Sequence, residues 1–89
     1  MRYVILDGAE IGDMSDVHAA FAAALEFPDW YGGNLDALYD MLTVPREAVT
    51  VVLRHPTLLE AMLERRYRTL RRVLRDAAEV NPGIIIEEE

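Results

Sequence analysis

Apolar residues along this chain recur with two different periods, and the switches between them lay out a fold. Three short runs, residues 3–6 (YVIL), 49–53 (VTVVL) and 84–86 (III), are almost unbroken in hydrophobicity and rich in β-branched side chains, the composition of strands. Because they lack polar alternation, they predict a sheet with more than an ordinary half-buried face, most economically a parallel one with helical crossovers. Between the first two runs the period lengthens to that of helices. Met14, Val17, Phe21, Ala24 and Leu25 share one face of a first helix, capped by Asp13 or Ser15. Pro28 helps to end it by pushing the preceding residue out of the α region. A second helix runs from Leu35 to about Leu42 and closes before Pro45. After the middle strand Pro56 suits a first helical position, and Leu59, Leu63, Tyr67, Leu70, Val73, Leu74 and Ala77 keep a helical stripe to about Glu79. One long helix and two stacked helices of nearly the same phase satisfy that stripe equally. Asn81-Pro82-Gly83 turns into the last strand. The order β-α-α-β-α(α)-β, with right-handed crossovers, predicts an α/β fold: a three-stranded parallel sheet packed against helices. No internal repeat or low-complexity linker interrupts it, so residues 1–89 read as a single domain.

Residues 28–43, PDWYGGNLDALYDMLT, concentrate the candidate chemistry. Gly32-Gly33 permits a sharp turn, and Asn34 is a good N-cap for a helix beginning at Leu35. At about 100° per residue, Leu35, Leu38 and Leu42 fall on a core-facing arc and Asp36 and Asp40 on the acidic one, with Tyr39 on the border. Asp36 and Asp40, at i and i+4, are neighbours whose mutual repulsion weakens an isolated helix. Solvated acids on an outer helix face are common. Here, however, Trp30 and Tyr31 precede them in a glycine-flanked loop, and large rings beside a central charge are the usual material of interfaces. Of the two rings, Tyr31 is expected to be the more buried.

Charge sharpens this picture. The net charge is −7, yet residues 1–53 hold nine acids and two arginines, residues 54–75 seven arginines and two glutamates, and residues 76–89 five acids and no base. The chain is dipolar, and every basic residue is arginine. An acidic face speeds encounter with a basic partner and repels nucleic-acid backbone. Arg65, Arg68, Arg71, Arg72 and Arg75 could form a phosphate-binding stripe, but the overall charge opposes it. A solvated amphipathic face, with Arg72 paired to Asp76 and others to neighbouring acids, explains them better.

With no cysteine, neither a disulfide nor a thiolate zinc site exists, which suits a reducing cytoplasm. The opening residues are too soon interrupted by Asp7-Gly8 for a signal peptide, and no stretch is long enough to span a membrane. Catalysis needs a base held near a nucleophile. His18, at the edge of the first helix's stripe, reads as a satisfied half-buried imidazole, and His55 merely precedes Pro56. Asp36 and Asp40 alone are too few for a divalent cation. No enzyme activity, cofactor or metal is therefore expected.

The run PDWYGGNLDALYDMLT, with the opening strand and Asp7-Gly8, His18 in the first helix and LRRVLRDA at residues 70–77, resembles the barstar family of intracellular inhibitors of an extracellular bacterial ribonuclease. The likeness covers almost the whole chain. It implies a proteinaceous ribonuclease inhibitor in the cytoplasm of a bacterium, monomeric when free. The loop and second helix would plug a basic active-site cleft, with Asp40 standing where a substrate phosphate sits. By the same resemblance Asp36 would pair with a neighbouring basic side chain, Trp30 would pack on a catalytic histidine, and Tyr39 would edge the interface. Gly32, Gly33, Asn34, Leu35 and Val73 complete the expected contact set. Asp76 matches a glutamate that reaches an arginine. The chain departs from the family pattern in several places: Trp30 and Tyr39 interchange a tyrosine and a tryptophan, Asp76 is one methylene short, Val44-Pro45 replaces Gly-Trp, and Glu64-Arg65-Arg66 replaces a glycine-containing break. A secreted or toxin-type ribonuclease is the implied partner, with no nucleic acid, membrane or metal. The alternative is a non-inhibitory interaction module of the same fold that binds another basic partner.

Overall fold

The computed structural model describes residues 2–44 and 47–89. Its elements are β1 (Arg2–Asp7), α1 (Met14–Leu25), α2 (Leu35–Thr43), β2 (Val49–Arg54), α3 (Pro56–Leu63), α4 (Arg65–Val80) and β3 (Ile84–Glu88). The strands form one parallel sheet in the order β1-β2-β3, with Val4 opposite Val51 and Val51 opposite Ile86. The expected α/β class and β-α-α-β-α(α)-β course are what the chain adopts, as β-α-α-β-α-α-β.

Local chemistry sets most element ends. Asp13 caps α1 by accepting from the Asp16 amide, and Pro56 sits in the first turn of α3. The long apolar stripe is two helices. Glu64 breaks it with φ 56° and ψ −132°, a left-hand conformation that glycine tolerates and other residues resist. No glycine or proline marks this turn, so periodicity ran straight through it.

The sheet is covered on one face only. Val4, Leu6, Val49, Val51, Leu53 and Ile84 are buried and form a continuous core with Val17, Phe21, Leu38, Leu59, Leu70 and Leu74 of the helices. The alternate set faces away from that core: Tyr3, Ile5 and Ile85 are exposed, while Thr50 and Val52 on the central strand are shielded. Unbroken hydrophobicity had suggested burial beyond one face throughout. Only β2 behaves so, because it alone has a strand on each side. Among the described residues no helix is long and apolar enough to cross a membrane.

Candidate functional site

α2 is anchored at both ends and along its buried face. Asn34 accepts from the Ala37 amide at 2.8 Å and so occupies an orphan donor of the first turn. Leu38 and Leu42 are buried, and Thr43 donates its hydroxyl to the Tyr39 carbonyl at 2.8 Å. At the far end Asn81, 2% exposed, supplies a long-range clamp. Its amide nitrogen donates to the Leu42 carbonyl at 3.1 Å and the Glu47 carbonyl at 3.0 Å, and its oxygen accepts from the Gly83 amide at 3.0 Å.

The loop before α2 is fixed from behind by Tyr31. Its hydroxyl lies 2.7 Å from His18 Nδ1, and its ring meets Phe27 at 4.7 Å between centroids. Burial lowers the His18 pKa and pushes that of Tyr31 up to about 12, so near neutral pH an uncharged imidazole and an uncharged phenol share one proton. Tyr31 is thus half-buried while Trp30, its neighbour, is 78% exposed, the division the sequence suggested. Gly33 takes φ 65° where the chain turns toward Asn34.

On this scaffold Asp36 and Asp40 are both exposed, and neither carboxylate has an ion pair or hydrogen bond among the described residues. Asp40 lies on the wall of a predominantly apolar concavity of about 400 Å³ shared with Trp30, Tyr31, Ala37, Met41 and Val44. Asp36, Asn34, Leu35, Gly32 and Gly33 belong to the same loop and helix but do not line it. Tyr39 is half-buried against the core, as is Leu35. Val73, half-buried, and Asp76, exposed, sit on α4, which packs on α2, and neither reaches the concavity. The pairing expected between Arg72 and Asp76 does not form. Pro45, half of the Val44-Pro45 departure, lies outside the described residues; Val44 itself is 79% exposed.

Sequence reasoning missed Ala37 and Met41. Together with Val44 they recur at i, i+4 and i+7, a second apolar stripe running beside Asp40 that helical spacing alone could have exposed. A carboxylate at the edge of such a hollow, with a free indole opposite, suits a flat or cationic side chain entering from a partner.

A family model described as "Barstar (barnase inhibitor)" matches residues 1–84. Over 43 residues the chain is 46% identical to a protein of Bacillus subtilis (strain 168) named "Putative ribonuclease inhibitor YrdF", a match covering 48% of this chain and 47% of that protein. The alignment thus spans about half the length of the curated relative.

Proposed function

The chain belongs to the barstar family, and on that premise we propose that it inhibits a ribonuclease by lodging Asp40 among the basic groups that would otherwise hold an RNA phosphate. The observation that carries the proposal is the Asp40 carboxylate, without an ion pair among the described residues, on the wall of the Trp30–Val44 hollow, at the face of a helix capped by Asn34.

A ribonuclease cleft must be electropositive to bind phosphates. An anion fixed on a rigid helix meets it without losing much freedom on binding, so little of the interaction is spent on ordering. Desolvating Asp40 is costly, and the cost is offset only by direct charge-assisted hydrogen bonds from arginine, lysine or protonated histidine. Trp30 and Val44 would exclude water around these bonds, lowering the local dielectric and strengthening them. Asp36, one turn nearer the helix start, would engage a neighbouring cation. Val73 and Asp76, on the adjoining α4, would contact the periphery. A secreted or toxin-type enzyme with a basic cleft is the matching partner, and the inhibitor would act in the cytoplasm. No covalent step is involved.

The test titrates the chain into barnase, and into other secreted bacterial ribonucleases with basic clefts, while RNA cleavage is followed. Inhibition by the wild-type chain should weaken by about 2–5 kcal/mol in Asp40→Ala, the range for truncating one partner of a buried charge pair. Failure of the wild-type chain to slow any of these enzymes at micromolar concentration, or an Asp40→Ala variant that inhibits equally well, would overturn the proposal.

A further inference from the structure

The arginines of α4 are largely unspent on the chain's own acids. Among the described residues Arg71 pairs with Glu88 at 3.1 Å, whereas Arg65, Arg66, Arg68, Arg72 and Arg75 have no ion pair. Four of these, Arg65, Arg68, Arg72 and Arg75, recur at intervals of three, four and three residues and therefore run along one helix face for about 15 Å. Like charges at that spacing repel, so the stripe works against its own helix.

Arg68, Arg71, Arg72 and Arg75 also wall a concavity of about 360 Å³ together with Glu60 and Tyr67. Tyr67 is 5% exposed, and its hydroxyl, shut off from solvent, has no acceptor for its proton among the described residues, its polar neighbour being the Arg71 guanidinium, which can only donate. Buried phenols almost always have an acceptor. Burial raises the Tyr67 pKa, with Glu88 and Glu60 adding to the rise and Arg71 opposing it, so the group is a donor at neutral pH. The Arg71 guanidinium stands 5.8 Å from the centroid of that ring and pairs with Glu88.

Four planar guanidinium groups and one unused donor around a hollow match the oxygens of phosphate, which arginine binds through two parallel hydrogen bonds. We propose that this hollow binds a small pyrophosphate-bearing ligand, with Arg68, Arg72 and Arg75 as its cationic contacts and the Tyr67 hydroxyl as a donor at its floor. The acids in reach, Glu60 and Glu88, leave the four arginines in excess, so a multiply charged anion is favoured over a single carboxylate. A compact ligand is favoured over a polymer because the field is local. Beyond a screening length of about 8–10 Å a nucleic-acid strand would run past the acids of a chain whose net charge is −7.

The test is calorimetric titration of the full chain at low salt with inorganic pyrophosphate, ADP and a single-stranded RNA in parallel. Saturable binding of pyrophosphate or ADP is expected, with a thermal midpoint that rises with ligand concentration. Tighter binding of ADP would identify the source as a nucleotide, and equal binding would identify the pyrophosphate group itself; either supports the site. Arg68→Gln with Arg72→Gln should weaken binding about tenfold or more. Tyr67→Phe, which removes only a hydroxyl whose proton has no acceptor, should keep the fold by circular dichroism and still lose several-fold in affinity. Asp40→Ala should leave pyrophosphate binding intact, which separates this site from the inhibitory one. Absence of saturable binding at millimolar pyrophosphate and ADP, equal binding by the arginine double variant, equal binding by Tyr67→Phe, or binding confined to RNA would each overturn the proposal.

Discussion

Asn81 carries more of the fold than its place in a turn suggests, and replacing it gives the sharpest test of how α2 is held. In Asn81→Ala two donated bonds, to the Leu42 and Glu47 carbonyls, and one accepted bond, from the Gly83 amide, are lost together. The Leu42 carbonyl belongs to the last turn of α2, where carbonyls lack helical partners, so it is left without the donor it had. Three bonds at about 0.5–1.5 kcal/mol each, with part of the penalty for stranding buried carbonyls, give a loss of about 2–4 kcal/mol. For a domain of this size that is a fall of about 10–25 °C in melting temperature. Asn81→Asp should be at least as damaging. It keeps the acceptor for Gly83 but turns a carboxylate toward two carbonyl oxygens, a repulsion inside a site that is 2% exposed. Urea unfolding followed by tryptophan fluorescence and far-ultraviolet circular dichroism measures both variants. A loss under about 1 kcal/mol in Asn81→Ala, or an Asn81→Asp variant as stable as wild type, would refute the clamp.

Three further outcomes follow from the same geometry. The folded-state pKa of His18 lies below its unfolded value, so the unfolded chain binds the extra proton; stability should hold above about pH 6.5 and decline as pH falls below it. His18→Gln should flatten that decline in urea midpoints measured from pH 5 to 8. Glu64→Gly should raise stability by about 1 kcal/mol, because glycine adopts φ 56° and ψ −132° without the strain a side chain imposes; a lower urea midpoint would contradict this. Gly8→Ala should destabilise by about 1–3 kcal/mol or more, since its Cβ would fall 2.5 Å from the His55 carbonyl oxygen and 2.8 Å from the Leu59 amide nitrogen, and an unchanged melting temperature would count against the close approach.

What could be read from the chain is whatever local chemistry decides. Asn34 announces a helix start by its own side chain, Pro56 by its fixed φ, and the acids of α2 by their distance from Leu38 and Leu42 on the wheel. What could not be read depends on contacts across the fold. The Glu64 break is invisible because Leu59, Leu63, Tyr67 and Leu70 stay nearly in phase across it, so packing of α3 on α4 overrides the local preference against positive φ. Ile5 and Ile85 look like core because β propensity and burial both select isoleucine; only the one-sided layering shows them exposed. Asn81 reads as a turn residue beside Pro82-Gly83, and nothing near it in sequence hints at a bond to Leu42, thirty-nine residues away. The site follows the same division. Asp40 and Trp30 were legible as charge and ring, whereas the Ala37–Met41–Val44 wall became meaningful only once Trp30 was seen to close it.

The separation of duties on α2 explains why recognition and stability need not compete there. Leu38 and Leu42 fix the helix to the core, Asn34 holds its first turn and Asn81 its last. Asp36 and Asp40 make no contact that the fold requires, and their repulsion costs the free helix a few tenths of a kcal/mol. The seven arginines of residues 54–75 could have quenched them. Instead Arg68, Arg71, Arg72 and Arg75 of α4 line hollows with Glu88 or Glu60, and no α4 arginine lines the hollow that holds Asp40. An Asp40 already bridged to an internal arginine would have to break that bond before meeting a partner, and its field would be neutralised at a distance. Without an ion pair among the described residues, it would steer a basic partner by long-range attraction and be available at contact. Asp40→Ala should accordingly leave the unfolding free energy unchanged or slightly raised while affinity for a basic partner falls. A variant that loses both together would mean that the carboxylate supports the fold, and that the exposed geometry misrepresents its role.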